Sequence, residues 1–146
     1  MILYLDTSAL IKAFVTEEGS EDVLALIDEA VVVATSRLTY PEAVAALARR
    51  RRESHLTAAA LARSTEALQC QRDALLTVDL DEDAAAGLSL QHALRAADCL
   101  HLAAALEVGA LEVGAESQGS DLIFACYDRR LNQAARAEGL RVFGPS

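Results

Sequence analysis

The chain opens MILYLDTSAL, where mostly apolar, strand-like residues run straight into Asp6 and the hydroxyls of Thr7 and Ser8. A second acid, Asp128, follows the apolar run LIFAC in a similar way. Glu42 in YPEAVAALA and Asp98 in RAADCLHLAAA each stand isolated in a mostly apolar helical segment. An amphipathic helix can carry a lone acid on its solvent side, so each of these two, taken alone, reads equally well as a surface residue. Gathered in one place, carboxylates repel one another, and either some keep a proton or a cation enters. Hard divalent ions take oxygen ligands and retain several waters, so a few carboxylates that leave the shell open suit Mg²⁺ or Mn²⁺. Such an ion activates water and offsets charge on phosphoryl oxygens, the chemistry of phosphodiester hydrolysis.

The elements that must position these acids are legible in the hydrophobic pattern. Ile2 to Leu5 reads as a buried strand, and TSALIKAFV starts a helix at once, with Thr7 or Ser8 available as its cap. SEDVLALIDEA predicts a second helix capped by Ser20, and VVVATS a second strand. LTYPEAVAALARRRR predicts a third helix with Pro41 in its first turn and Glu42 at its start. A long helix is expected over Thr57 to Arg72, then a strand in LLTVDL and an acidic helix start at Asp81, Glu82 and Asp83. HALRAADCLHLAAALEV reads as one helical stretch, LIFAC as a fourth strand, RRLNQAARAEG as a helix closed by Gly139, and LRVFGP as a last short strand.

Strands alternating with helices imply βαβ crossovers, so the expected class is α/β, with a central parallel sheet of four to five short strands between helical layers. In such sheets ligands bind beyond the carboxyl ends of the strands, where Asp6 and Asp128 fall. The 146 residues fit a single domain, 1–146, with no dividing linker. The segment EVGALEVGAESQGS repeats EVGA but is too short for a repeat architecture, and its glycines point to a frayed helix end and a loop.

Twenty-two acids against 13 basic residues give a net charge of −9, which argues against coating nucleic acid by bulk positive charge. The one concentrated basic patch is Arg49, Arg50, Arg51 and Arg52; a solvated helix end is the plainer reading, and contact with a phosphate backbone the functional one. Cys70, Cys99 and Cys126 form an odd set without a C-x-x-C pair, so buried thiols in a reducing compartment are expected. No basic leader precedes ILYL, which is far too short for a membrane span, so a cytoplasmic protein is expected. His101, three residues after Asp98 on the same helical face, reads as a structural hydrogen-bonding residue. DLDEDAAAGLSL has the early spacing of a calcium loop, but Ala84 and Leu90 stand at its required glycine and acid positions, so a capped helix start explains it better.

DTSALIK at Asp6, TYPEAVAAL around Glu42, RAADCLHLAAAL around Asp98 and FACYDRRLNQAARAEGLRVFGP around Asp128 together resemble the PIN-domain ribonucleases, most closely the VapC toxins of bacterial toxin–antitoxin pairs. The similarity runs nearly end to end, and four acids in family order make the joint signal strong. The resemblance implies a three-layer α/β/α PIN-like fold and an acidic pocket in which Asp6, Glu42, Asp98 and Asp128 are the catalytic and metal-holding residues for Mg²⁺ or Mn²⁺. Thr7 would support it through a hydrogen bond to an acid or a metal-bound water. The implied activity is a metal-dependent endoribonuclease, with RNA as substrate and a VapB-like antitoxin as inhibitor; a homodimer is the expected assembly. Two positions depart from the family pattern: Cys126 stands where Ser or Thr is common, and the segment from Gly109 to Ser120 is longer than usual.

Three other readings compete. A haloacid-dehalogenase-like phosphatase needs an Asp where Ser8 stands, and a receiver needs a lysine near the phosphoryl group, whereas the only lysine is Lys12 in the first helix; Asp79 would be its acceptor. A Cys/His/Asp hydrolase fails because Cys99 and His101, two apart on a helix, diverge. A PIN fold kept as a binding module would have lost one of the acids, and none is lost.

Overall fold

The computed structural model describes residues 1–112 and 121–146. The first strand, β1 (Ile2–Leu5), is the centre of a five-stranded sheet with β2 (Val32–Ser36), β3 (Leu76–Val78), β4 (Leu122–Ala125) and β5 (Arg141–Phe143). The order is β3-β2-β1-β4-β5 and all pairings are parallel. Helices α1 (Thr7–Lys12), α2 (Ser20–Glu29), α3 (Thr39–Arg52) and α4 (Ala58–Gln71) precede β3. Helices α5 (Glu82–Gln91) and α6 (Ala96–Glu112) follow it, and α7 (Arg129–Ala137) joins the last two strands.

The alternation of a strand decides which layer each side chain joins. Tyr4, Leu122, Phe124 and Cys126 pack with α5, α6 and α7 through Leu88, Leu102, Ala105 and Leu131. Leu3, Leu5 and Ala125 point to the other side and pack with Leu10, Val23, Leu47 and Leu68 of α1 to α4. This is the three-layer α/β/α arrangement expected from the sequence. Tyr4 and Phe124 stack at 5.5 Å between ring centres, so the two central strands are locked together by aromatic area as well as by the ladder.

Several boundaries differ from the sequence expectation. Helix α1 stops at Lys12 and is capped by Asp6, which accepts the Ala9 N–H; neither Thr7 nor Ser8 caps it. Ser20 is not a cap either: Gly19 holds that position at φ +85°, and the Ser20 hydroxyl donates to the Val15 carbonyl while accepting the Glu17 N–H. The stretch beginning at His92 is not one helix. His92 is extended and its ring lies 2.7 Å from Glu138, so α6 begins only at Ala96, where the Arg95 carbonyl accepts the Cys99 N–H. Helix α4 is close to its expected span, with Thr57 capping it through the Ala60 N–H. Asp81 caps α5 through the Ala84 N–H, the capped start expected there. The helix end expected near EVGA runs on to Glu112; the remainder of the long Gly109–Ser120 segment, 113–120, lies outside the described residues.

Candidate active site at the carboxyl edge of the sheet

Parallel strands all deliver their carboxyl ends to one edge, and at the centre of this edge the chain leaves β1 toward one side of the sheet and β4 toward the other. Asp6 follows β1 there, and Asp128 lies three residues beyond the end of β4. Ser8 ties the two segments: its hydroxyl lies 2.7 and 2.9 Å from the two oxygens of Asp6 and accepts the Tyr127 N–H at 2.9 Å. Asp128 caps α7 by accepting the Leu131 N–H. Its own N–H donates to the Cys126 sulfur at 3.2 Å, so the thiol takes a turn-holding acceptor role at the position where a hydroxyl is common. The second supporting hydroxyl of this site, beside that of Thr7, comes instead from Ser8.

Asp6 is 5% exposed, and its hydrogen bonds come from neutral donors, Ser8, Ala9 and Cys126. Burial therefore raises its pKa, and those bonds and the nearby His101 only partly oppose the rise. Burial likewise pushes the Cys126 thiol far up, helped by the Asp6 charge, which leaves it unreactive.

Glu42, in the first turn of α3, reaches the site through a network that sequence reading saw only in part. The Thr7 hydroxyl donates to Glu42 Oε1 at 2.7 Å, and His101 Nε2 lies 2.6 Å from the same oxygen and 3.1 Å from Thr7 Oγ1. On the far side of the ring, Tyr4 OH lies 3.1 Å from His101 Nδ1. The Glu42 carboxylate can only accept, so the ring proton sits on Nε2, facing it, and Nδ1 is left to accept the Tyr4 proton. Burial alone would raise the Glu42 pKa, but the bonds from His101 and Thr7, with the nearby Arg95 charge, outweigh it and hold it below the ordinary range. His101 is thus structural, as its spacing suggested, yet what it structures is the site. Tyr4 was invisible in the sequence as more than a strand residue.

Asp98 lies in the first turn of α6, one turn before His101. Arg95 forks onto it, with Nε 3.1 Å from Oδ2 and Nη2 3.4 Å from Oδ1. The guanidinium also lies in the fields of Asp128 and Glu42, which, with Asp98, raise its pKa. Sequence reading passed over Arg95, although R-x-x-D at helical spacing is its signal. Arg49 to Arg52 occupy the opposite end of α3 from Glu42, seven to ten residues on, which is roughly 10–15 Å along the helix. Arg50 there pairs with Glu17 at 2.9 Å and is half-buried, while Arg51 and Arg52 are exposed. Asp79, the acceptor a receiver would need, forms an exposed pair with Arg37.

The donor set is all oxygen, and its buried member, Asp6, is held without a lysine or arginine partner among the described residues, which suits a hard divalent ion. Among the described residues no three His, Cys, Asp or Glu side chains already converge as ligands would. Asp98 faces Arg95, and Glu42 faces Thr7 and His101. Binding an ion therefore requires Asp98 to turn from Arg95, whereas Glu42, both of whose bonds fall on Oε1, can offer Oε2 without leaving Thr7 and His101.

Comparison with known proteins agrees with this fold. Residues 3–137 match the PIN domain family. Ribonuclease VapC45 of Mycobacterium tuberculosis is 40% identical over 144 residues, 97% of this chain and 94% of that protein. The crystal structure of PAE2754 from Pyrobaculum aerophilum superimposes with a TM-score of 0.68 at 19% identity, covering 97% of this chain and 92% of that one. A toxin–antitoxin complex from Klebsiella pneumoniae gives 0.57 at 15% identity, covering 86% of each chain. With a sheet of this order, its acids at the central carboxyl edge and a match over nearly its whole length, the chain belongs to the PIN-domain family, among the VapC ribonucleases.

Proposed function

We propose that this protein is a toxin that hydrolyses RNA phosphodiester bonds within the strand, using Mg²⁺ or Mn²⁺ held by Asp6, Glu42, Asp98 and Asp128, and that a VapB-like antitoxin restrains it. The observation that carries the reading is the buried Asp6 carboxylate at the central carboxyl edge, with no lysine or arginine on it among the described residues. When bound, the ion supplies activation of water and neutralisation of phosphoryl charge. Asp6 is fixed for ligation by Ser8 and by its place as the α1 cap. Thr7 and His101 hold Glu42 at the site's edge, with its pKa low enough for it to remain anionic. Asp128 keeps one oxygen on the α7 N-terminus and leaves the other for the site.

The test is incubation of the purified protein with total cellular RNA, with Mn²⁺ or with EDTA, mapping the cut ends. Cleavage should require the ion and vanish in Asp6→Asn and Asp98→Asn, which keep side-chain shape but lose charge. Wild-type rates for those variants in saturating Mn²⁺ would overturn the assignment of the site.

The same acids define what an inhibitor offers. An arginine or lysine of the antitoxin enters among them and pairs with the carboxylates, and the chain's net charge of −9 speeds its encounter with a basic segment. Co-expression should relieve growth arrest, and the complex should bind Mn²⁺ poorly. The three cysteines are free, in keeping with action in the cytoplasm, but only Cys99 and Cys126 are buried as expected, Cys70 being exposed on α4; no described helix is long and apolar enough to cross a membrane. The active assembly is a homodimer, for which exposed Leu76, Leu80 and Leu90 offer apolar surface; sizing by light scattering checks it.

A further inference from the structure

Arg95 pairs directly with one of the acids, Asp98, and its setting is unusual for a surface ion pair. The break at His92 ends α5, and the chain turns so that Arg95 sits immediately before α6, its carbonyl accepting the first-turn N–H of Cys99. Its guanidinium forks onto Asp98, which is only 14% exposed, while Arg95 itself is 80% exposed. It also feels Asp128 and Glu42, two further acids of the site. One side of the guanidinium is thus held by a carboxylate assigned to the ion, and the rest is open to solvent beside the place where a phosphate must arrive.

Two cations cannot both be the close partner of Asp98. A divalent ion outcompetes a solvent-exposed guanidinium, because an exposed pair of this kind contributes little against water. Released from Asp98, Arg95 stays tethered by its backbone at the α6 N-terminus. It presents a planar fork of donors suited to two phosphate oxygens. A groove of about 500 Å³, lined by His92, Ala93, Leu94, Arg130 and Gln133, begins at the residue next to it and gives the strand room to continue.

We propose that Arg95 is an exchangeable cation of the active site: it neutralises Asp98 while no metal is there and turns to an RNA phosphate beside the scissile bond when the ion takes that carboxylate. The inference rests on the nuclease reading above and adds to it a phosphate-binding residue that also competes with the metal.

The consequence is a pair of effects of opposite sign. Arg95→Ala should bind Mn²⁺ more tightly than wild type by calorimetry without RNA, because a competitor for Asp98 is gone. The same variant should bind a 2′-O-methyl RNA oligonucleotide in Mn²⁺ about tenfold more weakly, as loss of one charge-assisted contact. The slope of log affinity against log salt should shrink by about 0.7, the value for one lost phosphate contact on a single strand. Arg95→Lys should keep the salt slope but recover only part of the affinity, since it keeps the charge and loses the fork. Asp98→Asn, measured in EDTA, should bind the oligonucleotide more tightly than wild type because Arg95 is freed. A merely structural ion pair would move neither the Mn²⁺ titration nor the salt slope, and that result overturns the proposal while leaving a cleaving wild type intact. A folded wild type that neither binds Mn²⁺ nor cleaves RNA overturns both.

Discussion

Replacing His101 by alanine is the sharpest probe of how the core supports the site. The ring is 3% exposed and joins a fully buried tyrosine to a carboxylate, so its loss acts at both ends. Tyr4 loses the acceptor for its proton in a place water does not reach, at a cost of about 1–3 kcal/mol. Glu42 loses a charge-assisted bond, but its side chain is 32% exposed and rehydrates, so roughly 1 kcal/mol is a fair allowance. The volume left by the ring beside Tyr4 adds about 1 kcal/mol. The sum, about 3–5 kcal/mol, is a large share of the roughly 5–15 kcal/mol that holds a domain folded, and corresponds to a Tm lower by about 10–15 °C. Urea unfolding in EDTA measures it. Tyr4→Phe supplies the second arm, since phenylalanine keeps the stack on Phe124 and removes only the hydroxyl. Made alone, it should destabilise; made in the His101→Ala background, it should cost nothing or restore stability. A coupling of at least about 1 kcal/mol is therefore expected between the two. Strictly additive effects, or a loss below about 1 kcal/mol for His101→Ala, would refute the assignment of the Tyr4–His101–Glu42 chain.

Further expectations concern charge and backbone. The raised pKa of Asp6 means the native state holds its proton more strongly than the unfolded chain, so this group's contribution is full at low pH and is lost as pH rises from the ordinary carboxylate value through the raised one. Asp6→Asn, which still caps α1, should therefore be more stable than wild type at neutral pH in EDTA while inactive, and the gain should disappear in acid. Glu42 has the opposite sign: its lowered pKa gives stability present above the ordinary carboxylate value and lost as pH falls through the lowered one, so Glu42→Gln should lose stability at neutral pH and converge with wild type in acid. A Cβ on Gly144, at φ +137°, would lie 1.8 Å from the Cys126 carbonyl oxygen; Gly144→Ala should cost about 3 kcal/mol or more in thermal melts and lower cleavage by displacing the Cys126–Asp128 turn. In the arginine run the residues should separate: Arg50→Ala weakens folding through loss of Glu17, whereas Arg51→Ala and Arg52→Ala leave stability alone and reduce the salt dependence of RNA binding.

The local pattern of the sequence determined the layered fold because strands and helices bury their faces with different periods. VVVATS, the long apolar run around His101 and the capped start at Asp81 each carried one unmistakable period or cap. It also placed Asp6 and Asp128 at the carboxyl edge, since a charge ending a buried strand has nowhere else to go. Long-range partners decided the rest. Thr7 and Ser8 looked like caps because a hydroxyl before a helix usually is one; their protons went instead to carboxylates 35 and 2 residues away, because Asp6 had already satisfied the Ala9 N–H. The helix break at His92 could not be read from helix-friendly residues, for it depends on Glu138 across the fold. Tyr4 entered the site only because parallel pairing and the α6 layer bring residues 97 apart within a hydrogen bond. Periodicity is a property of neighbours in the chain, and so the sequence carried it; pairing a buried proton with its acceptor is a property of neighbours in space, which only the packed structure supplies.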